Sequence, residues 1–158
     1  QTQYVLIGHS EQRETFNETN EILHSKLSAA LKEDISPIFC IGEPQEVKQN
    51  EDTEKFLSNQ LQALDGLDLN GVIIAYEPIW AIGSGENATR DYIEKIHAFV
   101  KKYCSNNLKY DAKISVLYGG SVNLANCKEI MSSLEVDGLL IGGASLDPDI
   151  FSKIYNIS

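Results

Sequence analysis

Five short apolar runs are spread along the chain, each followed by an amphipathic stretch, and this alternation narrows the possible folds more than any other feature. The runs occupy residues 4–8, 37–42, 71–76, 113–118 and 137–141. They are apolar almost throughout, rather than at every second residue, as expected for strands inside a parallel sheet. Between them, apolar residues return at helical spacing. Leu23, Leu27, Ala30 and Leu31 form one stripe within 17–32, and Leu57, Leu61 and Leu64 a second. Ile93, Ile96 and Val100 follow Thr89, and a short helix would carry Cys127, Ile130, Met131 and Leu134. Thr15 with Glu18 predicts a capping box for the first stripe, and Asp147-Pro148 an N-cap and first-turn proline for a last helix to about residue 155. Asn70-Gly71 would suit a hairpin elsewhere; after a helix it predicts a loop into the third strand. Strict strand–helix alternation predicts a single α/β domain over 1–158, a parallel sheet covered by helices.

Composition removes several classes of function. Hydrophobic residues make up 42% of the chain, enough for a packed core. The formal net charge of −10, with no basic run to offset it, argues against a nucleic-acid partner. No apolar run approaches a membrane span, and 1–7 lacks the basic region and apolar length of a signal peptide, so a cytoplasmic location is expected. The three cysteines, Cys40, Cys104 and Cys127, have no metal-ligand spacing; Cys40 and Cys127 sit in apolar patterns and read as buried thiols in a reducing compartment.

In parallel α/β folds, functional groups collect just past the C-terminal ends of the strands. The first three runs exit into His9-Ser10-Glu11, Gly42-Glu43 and Glu77-Pro78, the last two into Gly119-Gly120-Ser121 and Gly142-Gly143. Titratable groups therefore end three strands and glycine pairs end two. Successive glycine turns can aim backbone N–H groups at an anion, or can serve close helix–strand packing. Glu77 ends an apolar run, where a carboxylate is costly unless it is paired with one of the few arginines (Arg13 and Arg90) or used as a base. Glu43 could be a second base or could orient a loop. His9 shares the strand-end rim with Glu77, whereas His24 and His97 lie within helical patterns and read as structural.

The motifs YVLIGHSEQR (4–13), CIGE (40–43), AYEPIWAIGSG (75–85), YGGSV (118–122) and DGLLIGGASL (137–146) together resemble the triosephosphate isomerase family over essentially the whole chain. The resemblance implies a (β/α)8 TIM barrel that interconverts dihydroxyacetone phosphate and glyceraldehyde 3-phosphate in glycolysis and gluconeogenesis, as a homodimer, with no metal or cofactor. Glu77 matches the catalytic base and His9 the neutral electrophile. Gly83, Ser121, Gly142 and Gly143 match phosphate-gripping positions. Residues 78–85 match a mobile lid, in which Pro78 and Gly85 belong to the hinges. Ile82 and Leu140 match apolar residues that close over the base, and Glu43 the partner of the lid tryptophan, Trp80. Tyr118 and Ser121 match residues that latch the lid backbone near Ala88 and Gly85, and Glu11 an acidic residue beside the site. Gln12, Ser84 and Glu86 depart from the frequent Arg, Thr and Lys; the Glu86 side chain is expected to face water.

A barrel of this type has about 250 residues and eight strands. The five units match the fourth to eighth, so an N-terminally truncated barrel is expected, without the family's strand-one asparagine and lysine and with open sheet edges. The parent protein is then an active isomerase and the 158-residue chain alone inactive or nearly so. The rival readings are a non-catalytic chain that binds only a phosphate ligand or a partner, and another phosphate-binding barrel enzyme, which would lack the His9/Glu77 pair with this lid.

Overall fold

A computed structural model of the chain describes residues 2–82, 86–110 and 113–157. Its strands are β1 (Tyr4–Ile7), β2 (Ser36–Ile41), β3 (Ile73–Tyr76), β4 (Ser115–Tyr118) and β5 (Gly138–Leu139). All four pairings are parallel and the spatial order is the sequence order, β1-β2-β3-β4-β5. A doubly wound sheet would reverse its order at a switch point. Here every crossover advances the same way, the arrangement of consecutive barrel units, and the sheet remains open.

The helices are α1 (Ser10–Phe16), α2 (Asn20–Lys32), α3 (Gln45–Gln49), α4 (Thr53–Leu61), α5 (Arg90–Asn107), α6 (Cys127–Met131) and α7 (Pro148–Ile157). They cover one face of the sheet. The register row Ile7, Phe39, Ile74 and Val116 points toward them and is buried, joining Leu23, Leu27, Leu57, Leu61, Ile93 and Ile96 in the core. The adjacent row, Leu6, Ile38, Ile73 and Ser115, belongs to the other face, and Leu6 is 51% exposed. The expectation of a sheet covered by helices therefore holds for one face only. Cys40, Cys104 and Cys127 are buried free thiols.

Four local expectations are corrected. Thr15 does not cap α2: it lies within α1, which closes on Asn17 in the left-handed region, and Thr19 caps α2 by accepting from the Ile22 N–H. The stretch that carries the second stripe holds two helices, with Leu57 and Leu61 on α4 and Leu64 in a following 3-10 turn. Leu134 is 92% exposed because α6 ends at Met131. The fifth strand shrinks to Gly138–Leu139.

His97 is fully buried on α5, edge-on to Tyr76 with ring centroids 5.9 Å apart. Nδ1 lies 3.2 Å from the Glu135 carbonyl, and Nε2 has no partner. Burial pushes its pKa down to about 4, against the opposing Glu135 hydrogen bond; Lys101 adds to the shift and Asp137 opposes it least. An unfolded imidazole takes up its proton near pH 6.5 while the native one waits until about 4. Stability from neutral His97 is complete above 6.5 and is lost as pH falls through that window. Glu77, whose pKa is raised, has the opposite sign and offsets part of the loss at the acid end. We expect a loss on the order of 3 kcal/mol, or a melting temperature lower by roughly 5–10 °C, between pH 6.5 and 4. Thermal melts of the chain and of His97→Gln check this: the variant's melting temperature should vary less across the window.

Candidate active site

Glu77 is the first residue past β3 and is 4% exposed. Its backbone is fixed by its neighbours: its N–H donates to the Ile41 carbonyl at 2.7 Å, and the Gly119 N–H donates to the Tyr76 carbonyl at 2.8 Å. Glycines make room for it on both sides. A Cβ on Gly42 would overlap the Glu77 carbonyl oxygen, and one on Gly119 would come within 2.7 Å of the Glu77 Cγ. Neither arginine pairs with Glu77. Arg13 donates to the Gly8 and Cys40 carbonyls at 2.6 and 2.8 Å, and Arg90 pairs with Glu94. Oε2 is buried without a hydrogen-bond partner. Burial raises the Glu77 pKa above the usual carboxylate value; His9, the Cys40 thiol and Arg13 pull it back, and Glu11 adds to the rise. Such a carboxylate is held basic with one oxygen unsatisfied, a poor structural element and a good proton acceptor.

His9 stands opposite, its Nε2 3.5 Å from Glu77 Oε1. It is the N-cap of α1, and its Nδ1 accepts from the Glu11 N–H at 3.4 Å. An Nδ1 that accepts leaves the ring proton on Nε2, so the donor edge of the imidazole is turned toward Glu77. It is the backbone of Glu11 that touches His9; its side chain is exposed.

A cleft of about 360 Å³ opens over this pair. Besides His9 and Glu77 it is lined by Ser121 with its preceding glycines, by Gly142 and Gly143, and by the apolar Ile82 and Leu140. Four strand ends thus meet at one opening, which brings the two glycine turns together with His9 and Glu77. Among the described lining residues there is no Lys or Arg. Gly83 and Gly85 lie outside the described residues, whereas Glu86 is exposed.

Glu43 takes no part in the cleft. It is fully buried behind it, where it accepts hydrogen bonds from Trp80 Nε1 at 2.9 Å, Tyr76 at 3.0 Å and Tyr92 at 2.9 Å. Of the two readings left open for Glu43, orienting a loop is the one this geometry favours. Pro78 precedes the 3-10 turn Ile79–Ala81 that carries Trp80. Tyr118 is buried at the end of β4, and its hydroxyl meets the backbone of Ala88 beyond the loop; burial drives its pKa up to about 12 against that bond.

Sequence reasoning missed four contributors. Cys40 lies against the Glu77 carboxylate, which, after burial itself, helps push the thiol pKa up. Tyr76 and Tyr92 supply two of the three donors to Glu43, and Lys48 sits over Trp80. Tyr76, adjacent to Glu77 at a strand end, was the one with a visible signal.

Comparison with known proteins points to one family. The family model described as triosephosphate isomerase matches residues 1–158. A triosephosphate isomerase of Synechococcus sp. (strain JA-2-3B'a(2-13)) is 42% identical over 154 residues, covering 97% of this chain and 60% of that protein. Those of Aquifex aeolicus (strain VF5) and Endomicrobium trichonymphae are 44% and 42% identical, covering 96% and 98% of this chain and 63% and 64% of their own lengths. The chain spans about three fifths of the length of these curated relatives. A matching open run of barrel units, a strand-end carboxylate facing an imidazole, and a family match along the whole chain lead to one assignment: the chain belongs to the triosephosphate isomerase family.

Proposed function

We propose that the complete protein interconverts dihydroxyacetone phosphate and glyceraldehyde 3-phosphate, with Glu77 as the base. The observation that carries this reading is the buried Glu77 carboxylate at the mouth of a glycine-walled cleft, one oxygen unpartnered and the other 3.5 Å from His9 Nε2. Glu77 takes a proton from the carbon beside the substrate carbonyl. His9 donates from Nε2 to the carbonyl oxygen, so charge developing there is met by a hydrogen bond. The resulting enediolate collapses when the proton of the neighbouring hydroxyl passes, by way of His9, to the former carbonyl oxygen and Glu77 returns the abstracted proton to the former carbonyl carbon, leaving the new carbonyl on the neighbouring carbon. A glutamate base beside an imidazole is the acid–base pattern described for this enzyme family. The phosphate lies against Ser121, Gly142 and Gly143, with Gly83 as a further contact, and meets backbone N–H groups. Ile82 and Leu140 keep water from the base, and Glu43, Trp80 and Tyr118 support the closed lid formed by 78–85, with Gly85 at its far hinge and Glu11 beside the site. A homodimer, action in the cytoplasm within glycolysis and gluconeogenesis, and chemistry without a cofactor come with this family reading and are part of the proposal.

The chain by itself calls for a second reading. Its cleft presents no Lys or Arg among the described lining residues, and its sheet is open. Alone, it binds a phosphate ligand or a partner with little or no turnover.

Both readings are tested by assaying triose phosphate interconversion in deuterated water, using the chain alone and the chain joined to the preceding portion of the Aquifex aeolicus relative. Turnover only in the joined protein, with solvent deuterium in the product, is the expected result. Absence of turnover in both sinks the isomerase reading, and robust turnover by the chain alone overturns the second. Because the base must be ionised, kcat should fall with decreasing pH, on a limb lying above the ordinary glutamate value of 4.5. A limb at or below that value would remove the role assigned to burial.

A further inference from the structure

We propose that Lys48 is a positioning residue for the lid, its ammonium group seated on the face of the Trp80 indole. The ammonium nitrogen is 3.1 Å from the indole ring centroid and 5.5 Å from that of Tyr92, and the two rings meet edge to face at 5.9 Å. The same indole donates its N–H to the buried Glu43 at 2.9 Å. Trp80 thus has a cation on its face and a carboxylate at its edge.

The two contacts reinforce each other. A cation over the ring is attracted by its electron-rich face and draws density from the indole, which makes the N–H a better donor to Glu43. The carboxylate in turn offsets the ammonium charge across the ring. Glu43 and Lys48 stand five residues apart around one corner, the turn from β2 into α3, so a single segment supplies both halves of the clamp. Lys48 is half-buried and, with Tyr92, lines a surface pocket separate from the His9–Glu77 cleft. Trp80 lies three residues after Glu77, so the clamp anchors the segment that directly follows that carboxylate.

The inference rests on reading 78–85 as a lid, so its test requires no turnover. The chain has one tryptophan and hence one indole N–H resonance. In the unaltered chain, the Lys48 methylene protons next to nitrogen should be shifted upfield of those of the other lysines by the ring beneath them. In Lys48→Met, which keeps the stem and removes the charge, exchange of the Trp80 indole proton should become roughly fivefold faster, and Lys48→Arg should restore it, since a guanidinium also stacks on aromatic faces. Lys48 methylene shifts indistinguishable from those of the other lysines overturn the clamp, as does unchanged exchange in Lys48→Met. If Lys48→Met does not fold, the shifts in the unaltered chain decide. If the clamp is present but kcat and KM of the joined, active protein are both unaltered by Lys48→Met, the lid role falls and the isomerase reading stands.

Discussion

Glu77→Gln in the active, joined protein is expected to lower kcat and kcat/KM together by about 10²–10⁴-fold, the range of a lost general base. The amide keeps the shape of the side chain and can still hydrogen-bond, but cannot take a proton from carbon. The same change should leave the fold at least as stable. Glu77 is 4% exposed with Oε2 unpartnered, so its charge is held at a desolvation cost that the neutral amide largely avoids. Paired measurements on the wild type and variant, of turnover and of urea unfolding, should therefore move apart: activity falls and stability holds or rises by about 1 kcal/mol. A variant that lost stability in proportion to activity would mark Glu77 as a structural residue.

How much of this was legible in sequence depended on whether the deciding quantity was local. The strands were readable because each is a compact apolar run, and their exits could be inspected one by one. What could not be read was which way each exit side chain points. Ile41 pairs with Tyr76, and continuing that register sets Gly42 beside Glu77 and Glu43 beside Pro78. Successive residues face opposite sides of a sheet, so Glu77 turns to the cleft and Glu43 to the helices, where Tyr92 of α5 awaits it. One residue of register separates a candidate base from a loop anchor, and register is a long-range property. The misplaced cap has a similar origin. Thr15 fitted a cap by its spacing to Glu18 alone, but Asn17, whose left-handed backbone ends α1, moves the start of α2 on to Thr19. Leu134 fitted its stripe by spacing alone, but α6 had already ended at Met131.

The glycines beside Glu77 allow fold and site to be separated by experiment. Gly42→Ala is expected to destabilise the chain by about 3 kcal/mol or more, lowering the melting temperature by roughly 10 °C. The new methyl would overlap the carbonyl oxygen of Glu77 and approach its carbonyl carbon within 2.6 Å. Both are backbone atoms, and neither strand is free to retreat. The Glu77 N–H is bonded to Ile41, and Gly42 is held from the other side by Gln60, which accepts from its N–H at 2.8 Å and donates to its carbonyl at 3.3 Å. Relief would require parting β2 from β3 at the site itself. Gly119→Ala places its methyl 2.7 Å from the Glu77 Cγ, a side-chain atom that can swing aside. That variant should melt near the wild type while its kcat in the joined protein falls, because the carboxylate is pushed from its place opposite His9. Gly142 has nothing within 4 Å of the corresponding position, so Gly142→Ala should melt with the wild type. Calorimetry on the three variants with turnover of the joined proteins checks the set. Equal melting temperatures for Gly42→Ala and Gly142→Ala would refute the close approach of the two strand ends, on which the placement of the Glu77 carboxylate depends.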